Sequence, residues 1–67
     1  MTQTAPAERV RTLLLRTDNL LKKGRTDAAR DALAEARRAA ADESVDPAVR
    51  ELVERRLTAL EHLSGAS

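Results

Sequence analysis

The chain has 67 residues, with neither cysteine nor aromatic residues, and its 12 basic and 11 acidic side chains leave a formal net charge of +1. The lack of cysteine excludes disulfides, a thiolate nucleophile and a cysteine zinc site. A nearly neutral chain has no overall field that would attract nucleic acid or an anionic membrane. No apolar run approaches the roughly 18 to 20 residues of a membrane span.

The N-terminal sequence MTQTAPAERV lacks the basic and then apolar regions of a secretory signal, so we expect a cytoplasmic protein. The apolar fraction is 42%, but much of it is alanine, which buries little surface. In a domain this small, one apolar core supplies only about 3 to 5 kcal/mol of stability. We therefore expect self-association or a protein partner to complete the core.

The first helix is predicted to begin near Pro6, because proline is favoured in a first turn and Glu8 suits the positive end of the helix dipole. Lys22 and Lys23 suit the opposite end, and Gly24 is typical of a residue that ends a helix in the left-handed conformation. Residues at steps of three and four predict the buried stripe of this helix: Val10, Leu13, Leu14, Thr17, Leu20 and Leu21.

The second helix is predicted to follow almost at once, with the Thr26 hydroxyl as its cap and Asp27 in its first turn. So short a connection predicts an antiparallel hairpin of the first two helices. The buried stripe of the second helix is nearly all alanine: Ala29, Ala32, Leu33, Ala36, Ala39 and Ala40. Small side chains allow helix axes to approach closely, so this helix is predicted to lie between the other two.

The third helix is predicted to begin at Asp46 and Pro47, as a cap and a first-position proline. Val45 is expected to fold over its start. The third buried stripe comprises Val49, Leu52, Val53, Leu57, Leu60 and Leu63. The fold class is therefore all-α, an up-down-up three-helix bundle over residues 6–63, whose third side is either closed or left as a groove. Residues 1–5 are expected to be flexible and residues 64–67 to form a frayed tail.

The hairpin resembles a tetratricopeptide-type repeat, since Ala29, Leu33 and Ala36 form its small, large, small pattern and Gly24 lies in its turn. Two leucines match the first-helix core positions of that repeat, Leu13 and Leu20. The resemblance implies a helical hairpin of the kind that stacks into a peptide-binding groove, with the third helix as its cap.

The chain departs from the repeat pattern at Arg16 and Thr17, where a large apolar and then a small residue are usual, and at Ala41, where proline is usual. A single repeat is present, whereas about three are needed to form a stable array. The sequence therefore predicts one hairpin closed by a third helix, and not a multi-repeat groove.

Arg56 falls in the middle of the third apolar stripe, where an unpaired buried charge would cost several kcal/mol. Two interpretations stay open. The side chain either extends to water or meets a carboxylate, for which Asp18 on the first helix is the nearest candidate, or it contacts an acidic group of a partner. The small residues Thr17 and Ala36 at the centres of the other stripes leave room for its aliphatic part.

The function predicted from these features is a non-catalytic interaction module, an adaptor or assembly protein that self-associates or docks onto a larger protein. The predicted partner contacts are Leu15, Arg16 and Arg56. Leu15 lies opposite the buried stripe of its helix, where it is either a single exposed leucine or part of a second contact surface.

A small DNA-associated regulator, similar to an antitoxin or a repressor, is the alternative prediction. Its phosphate contacts would come from a basic set in the first helix and the following turn: Arg9, Arg11, Lys22, Lys23 and Arg25. Acidic residues interleave with the arginines of the later helices, and no aromatic side chain is present to stack on bases. Salt separates the two functions, because phosphate binding weakens steeply as salt rises.

No catalytic activity, cofactor or metal is predicted. The chain has one histidine, His62, which is expected to lie on the surface near the end of the third helix. A metal site would need several further ligands beside it. There is no glycine-rich phosphate loop and no serine, histidine and aspartate set at a recognisable spacing.

Overall fold

The computed structural model describes residues 5–65 of the chain, with side-chain packing described through residue 62. Three helices account for most of this part, namely α1 (Pro6–Lys22), α2 (Thr26–Ala40) and α3 (Pro47–Gly65). The predicted all-α three-helix bundle is confirmed. Helix α3 continues two residues beyond the predicted end at residue 63. Residues 1–4 of the predicted flexible segment, residues 66 and 67 of the predicted tail, and the Leu63 side chain lie outside this description.

The turn between α1 and α2 contains only three residues, and Gly24 within it has a φ of +75°. The amide of Gly24 donates to the carbonyl of Leu21 at 3.0 Å, and the amide of Arg25 donates to the carbonyl of Leu20 at 2.8 Å. These bonds satisfy the last carbonyls of α1, as expected for a glycine-terminated helix. The predicted Thr26 cap is wrong, because Thr26 is already the first helical residue and Arg25 before it makes no side-chain capping bond.

We expect Gly24→Ala to lower the free energy of unfolding by about 1 kcal/mol, since a left-handed φ is strained for any residue with a Cβ atom. A Cβ atom at this position would meet no other atom within 4 Å, so the cost comes from the backbone alone. Urea denaturation measures the change. Lys23→Ala is the control, because Lys23 has a φ of −89° and is exposed. Equal stabilities for the two variants would contradict this account of the turn.

The segment between α2 and α3 carries two local aspartate interactions. The amide and the hydroxyl of Ser44 both donate to the Asp42 carboxylate, at 2.9 and 2.7 Å, and these bonds lower the pKa of Asp42. The Asp46 carboxylate accepts a bond from the amide of Ala48 at 2.9 Å, which confirms the predicted cap of α3. Val45 between them is buried, as predicted. The segment is therefore fixed by hydrogen bonds at both ends and by one apolar contact.

Asp46→Ala is expected to destabilise the fold by about 1 kcal/mol, because the first-turn amide of Ala48 then loses its acceptor. Asp46→Asn keeps an acceptor oxygen and serves as the control. Thermal unfolding followed by circular dichroism compares the two. If asparagine costs as much as alanine, the charge of Asp46 and not its capping bond is what stabilises the start of α3.

The contacts between helices establish that α2 lies between α1 and α3 and runs antiparallel to both. Near the start of α1, Arg9 approaches Glu35 of α2 at 3.9 Å. Arg37, also on α2, pairs with Glu54 of α3 at 2.6 Å. The Arg50 guanidinium donates to the last helical carbonyl of α2, that of Ala40, at 2.9 Å. Helices α1 and α3 are consequently parallel, and α2 is central, as the alanine stripe predicts.

The core lies along α2, and four of its buried residues are alanines, which bring the neighbouring helices close. The largest side chains that are fully buried include Leu33, Leu60, Val10 and Val53. The backbones of α1 and α3 approach each other only weakly, unlike either of the pairs that involve α2. Of the two predicted arrangements, the structure therefore has the one whose third side is a groove.

Candidate protein-binding groove

The open side of the bundle forms an apolar groove between α1 and α3, with α2 beneath it. We call it the α1/α3 groove, and its volume is about 300 Å³. Its walls come from all three helices: Thr17, Leu21, Leu33, Arg55, Arg56, Ala59 and Leu60. Thr17, Leu33 and Leu60 are buried and form its floor. The groove forms because α1 and α3 both pack against α2 and stay apart from each other, and because both have apolar side chains that face the gap between them.

The floor of the groove presents no unpaired polar group. The Thr17 hydroxyl donates to the Leu13 carbonyl one turn earlier in α1, at 2.8 Å. Among the described residues, no buried side-chain nitrogen or oxygen atom lacks a hydrogen-bond partner. Because Thr17 satisfies its hydroxyl within its own helix, the groove is suited to an apolar occupant and not to a polar small molecule.

An ion pair bridges α1 and α3 at the rim of the groove. The Arg56 guanidinium donates to the Asp18 carboxylate at 2.6 Å, and the two side chains are 40% and 44% exposed. Asp18 is the candidate carboxylate named in the first of the two interpretations of Arg56. A pair this exposed contributes at most about 1 kcal/mol, because water screens it and both side chains lose rotamer freedom. The pair therefore stays accessible to a partner.

Two leucines that the sequence assigns to buried stripes are left partly exposed. Leu21 on α1 is 37% exposed and Leu52 on α3 is 41% exposed. On α3, Leu52 lies one turn before Arg56, and Ala59 lies almost one turn after it, so all three follow one side of the helix. Neither leucine is among the partner contacts predicted from the sequence. Their helical spacing places both leucines in apolar stripes. It indicates exposed contact residues only once it is known that α1 and α3 do not cover each other.

The three predicted partner contacts do not share a surface. Arg56 lies at the rim of the α1/α3 groove. Arg16 lies on the other side of α1, in a shallow depression that Leu13 and Glu35 also line. Leu15 is 62% exposed and, by helical spacing, lies on the back of α1 among polar residues. A single globular partner cannot contact all three residues on one flat face.

The basic residues of the alternative function are likewise distributed over the molecule. Arg9 points towards Glu35 on α2. Lys22, Lys23 and Arg25 lie at the opposite end of α1, about 20 Å away at 1.5 Å per residue. One compact basic patch would need these residues close together, and the structure places Arg9 and the turn residues at opposite ends of α1.

Within residues 5–65, no three His, Cys, Asp or Glu side chains are arranged to hold a metal ion. His62 is exposed near the end of α3. In the same part of the chain, no helix combines the length and apolar character needed to cross a bilayer. The α1/α3 groove is thus the feature of the described structure that most resembles a binding site.

The resemblance to a tetratricopeptide repeat stays a prediction that depends on the residues that carry it. The antiparallel pairing of α1 and α2 agrees with such a hairpin, but any alanine-rich helical hairpin packs in the same way. No protein-family model, curated protein or solved structure matches this chain.

Proposed function

We propose that this chain is a non-catalytic protein–protein interaction module that binds an apolar helical surface in the α1/α3 groove. The observation that carries the proposal is an apolar, hydrogen-bond-satisfied floor walled by the partly exposed Leu21. A second partly exposed leucine, Leu52, lies one turn before the groove residue Arg56 on α3. A helix seated between α1 and α3 would complete a four-helix arrangement, which is a common mode of recognition. A cytoplasmic location is part of the same proposal.

The energetics of the isolated chain support this function. Its core contains few large side chains, and its alanines contribute little buried area. A partner that covers Leu21 and Leu52 would stabilise the fold by mass action, since it binds only the folded state. Adaptors and assembly proteins use this coupling, because their apolar surface is protected when the complex forms.

Site-specific photo-cross-linking tests the proposal in cells of the source organism. A photoreactive amino acid replaces Ala59 inside the groove and, in a matched control, Leu15 on the back of α1. We expect protein adducts at position 59 and few at position 15. Equal yields at both positions, or no protein adduct at position 59, would contradict binding in the groove.

DNA association is tested separately, through Lys22, Lys23 and Arg25 at the turn. Titration of the chain with duplex DNA at rising salt gives the number of phosphate contacts from the slope of log affinity against log salt. We expect no binding at physiological ionic strength. A steep negative slope that Lys22→Ala and Lys23→Ala reduce would favour the nucleic-acid alternative.

A further inference from the structure

We infer that the segment bound in the α1/α3 groove is an amphipathic helix of a partner protein whose apolar side is bordered by aspartate or glutamate residues. This inference rests on the proposed function and names the chemistry of its partner. Its support is the distribution of charge along the groove, together with the hydrogen-bond donors that two arginines keep there.

Basic side chains predominate along both edges of the groove. On the α3 edge, Arg55 and Arg56 belong to its wall. Asp18 pairs with Arg56 from the α1 edge. Helical spacing places Arg11 about two turns before Asp18 and Lys22 one turn after it along that edge, and both are exposed. The edges therefore attract an acidic segment, although the chain as a whole is nearly neutral.

The two wall arginines already bind carboxylates of this chain, but each keeps donors for another. Arg55 donates to Glu51, one turn earlier in α3, at 3.1 Å, and Arg56 donates to Asp18 at 2.6 Å. Each of these bonds uses one terminal nitrogen, whereas a guanidinium has five N–H donors. A carboxylate of a docked helix can thus bind either arginine without breaking the bond that is already made.

The apolar part of the groove lies beside these arginines. Its cavity is bounded by Leu21, Ala59 and the buried Leu60. On a helix seated there, the apolar stripe fills the cavity, and the residues that border the stripe lie against the two edges. Acidic residues at those positions meet Arg55 and Arg56 where the docked helix partly excludes water, so their attraction is less screened than at an open surface.

A nucleic-acid backbone fits the same surface less well. Its phosphates would meet the carboxylates of Asp18 and Glu51 as well as the arginines. The polar group of the groove floor is the Thr17 hydroxyl, which already donates to the Leu13 carbonyl. No aromatic side chain is present to stack on bases. The apolar floor is covered only by an occupant that brings apolar side chains with its negative charge.

Selection from a displayed peptide library tests the inference, with the intact chain as the immobilised target. The library consists of helices with a fixed leucine stripe, whose bordering positions are randomised among glutamate, glutamine and lysine. We expect glutamate to be enriched over lysine at these positions. Enrichment of lysine, no preference among the three residues, or no binding peptide at all would overturn the inference.

Fluorescence anisotropy with one enriched peptide locates the contact. Arg56→Gln is expected to raise the dissociation constant by about fivefold, the effect of one partly exposed charge pair. It should have little effect on the same peptide with glutamine in place of its glutamates, since no carboxylate is then lost. Arg16→Gln, on the other side of α1, is the matched control and should leave both constants unchanged. Equal losses with both peptides would mean that Arg56 acts through the fold, and would overturn the inference.

Arg55→Gln keeps the inference testable if Arg56→Gln loses helicity, because it leaves the Asp18–Arg56 pair intact. We expect the same loss of about fivefold with the glutamate peptide, and little with the glutamine peptide. Labelled duplex DNA is measured in parallel. Tighter binding of DNA than of the peptide, weakened by Arg55→Gln, would assign the groove edges to phosphate and overturn the inference.

Failure of the inference is distinguishable from failure of the proposed function. If the library shows no preference for glutamate but position 59 still photo-cross-links to a protein, the groove is the binding site and the stated chemistry of the partner is wrong. If the library yields no binding peptide and position 59 yields no protein adduct, both are wrong.

Discussion

Leu33→Ala is expected to lower the free energy of unfolding by about 3 kcal/mol, within the range of about 2 to 5 found for buried leucines. Leu33 is 1% exposed and lies at the centre of α2, under the α1/α3 groove. No other large apolar side chain of α2 belongs to the buried core, so neighbouring residues have little with which to fill the cavity. A domain with about 3 to 5 kcal/mol of stability would then keep only about 0 to 2 kcal/mol, so that up to about half of the molecules would be unfolded at room temperature.

Urea denaturation with far-ultraviolet circular dichroism measures this effect. Leu15→Ala is the control, since the same atoms are removed from an exposed position and should change stability by less than about 0.5 kcal/mol. If the two leucines prove equally dispensable, the core does not centre on α2. If the helicity of Leu33→Ala partly returns at high protein concentration, association stabilises this variant.

Ala36→Leu is expected to destabilise the fold by about 1 to 3 kcal/mol or more, although it adds apolar surface. Ala36 is fully buried in the stripe along which α2 packs against its neighbours. Three extra carbon atoms there have no space unless a helix moves away from α2. Overpacking at this position therefore tests whether close approach of the helices depends on the small side chain.

Ala48→Leu provides the matched control, because it makes the same substitution at an exposed position, in the first turn of α3. We expect its thermal midpoint to lie near that of the unmodified chain. An Ala36→Leu variant that melts at or above this midpoint would mean that the core contains unfilled space beside Ala36. Helicity before the transition distinguishes local repacking from loss of the fold.

The sequence alone determined the helices and the position of α2. The α1 start at Pro6, the turn at Gly24 and the Asp46 cap were predictable because each depends on a few neighbouring residues whose backbone preferences are strong. The central place of α2 was also predictable, since a stripe of alanines permits close packing on two sides. The Thr26 cap failed because helix boundaries shift by a residue when the preceding turn makes other bonds.

Only the tertiary structure decided which apolar residues a neighbouring helix covers and which stay exposed. The sequence assigns Leu21 and Leu52 to buried stripes because periodicity identifies the apolar side of a helix but not how much of it a neighbour covers. Arg56 pairs with Asp18, 38 positions away in sequence, because α1 and α3 are parallel and the two side chains reach across the groove at the same level. Leu15, Arg16 and Arg56 lie on different surfaces because the packing of the three helices, and not the sequence pattern, sets which side of each helix stays exposed. Local sequence preferences fix where helices begin and end. The groove arises because α1 and α3 both pack against α2 and hardly against each other, which local preferences do not determine.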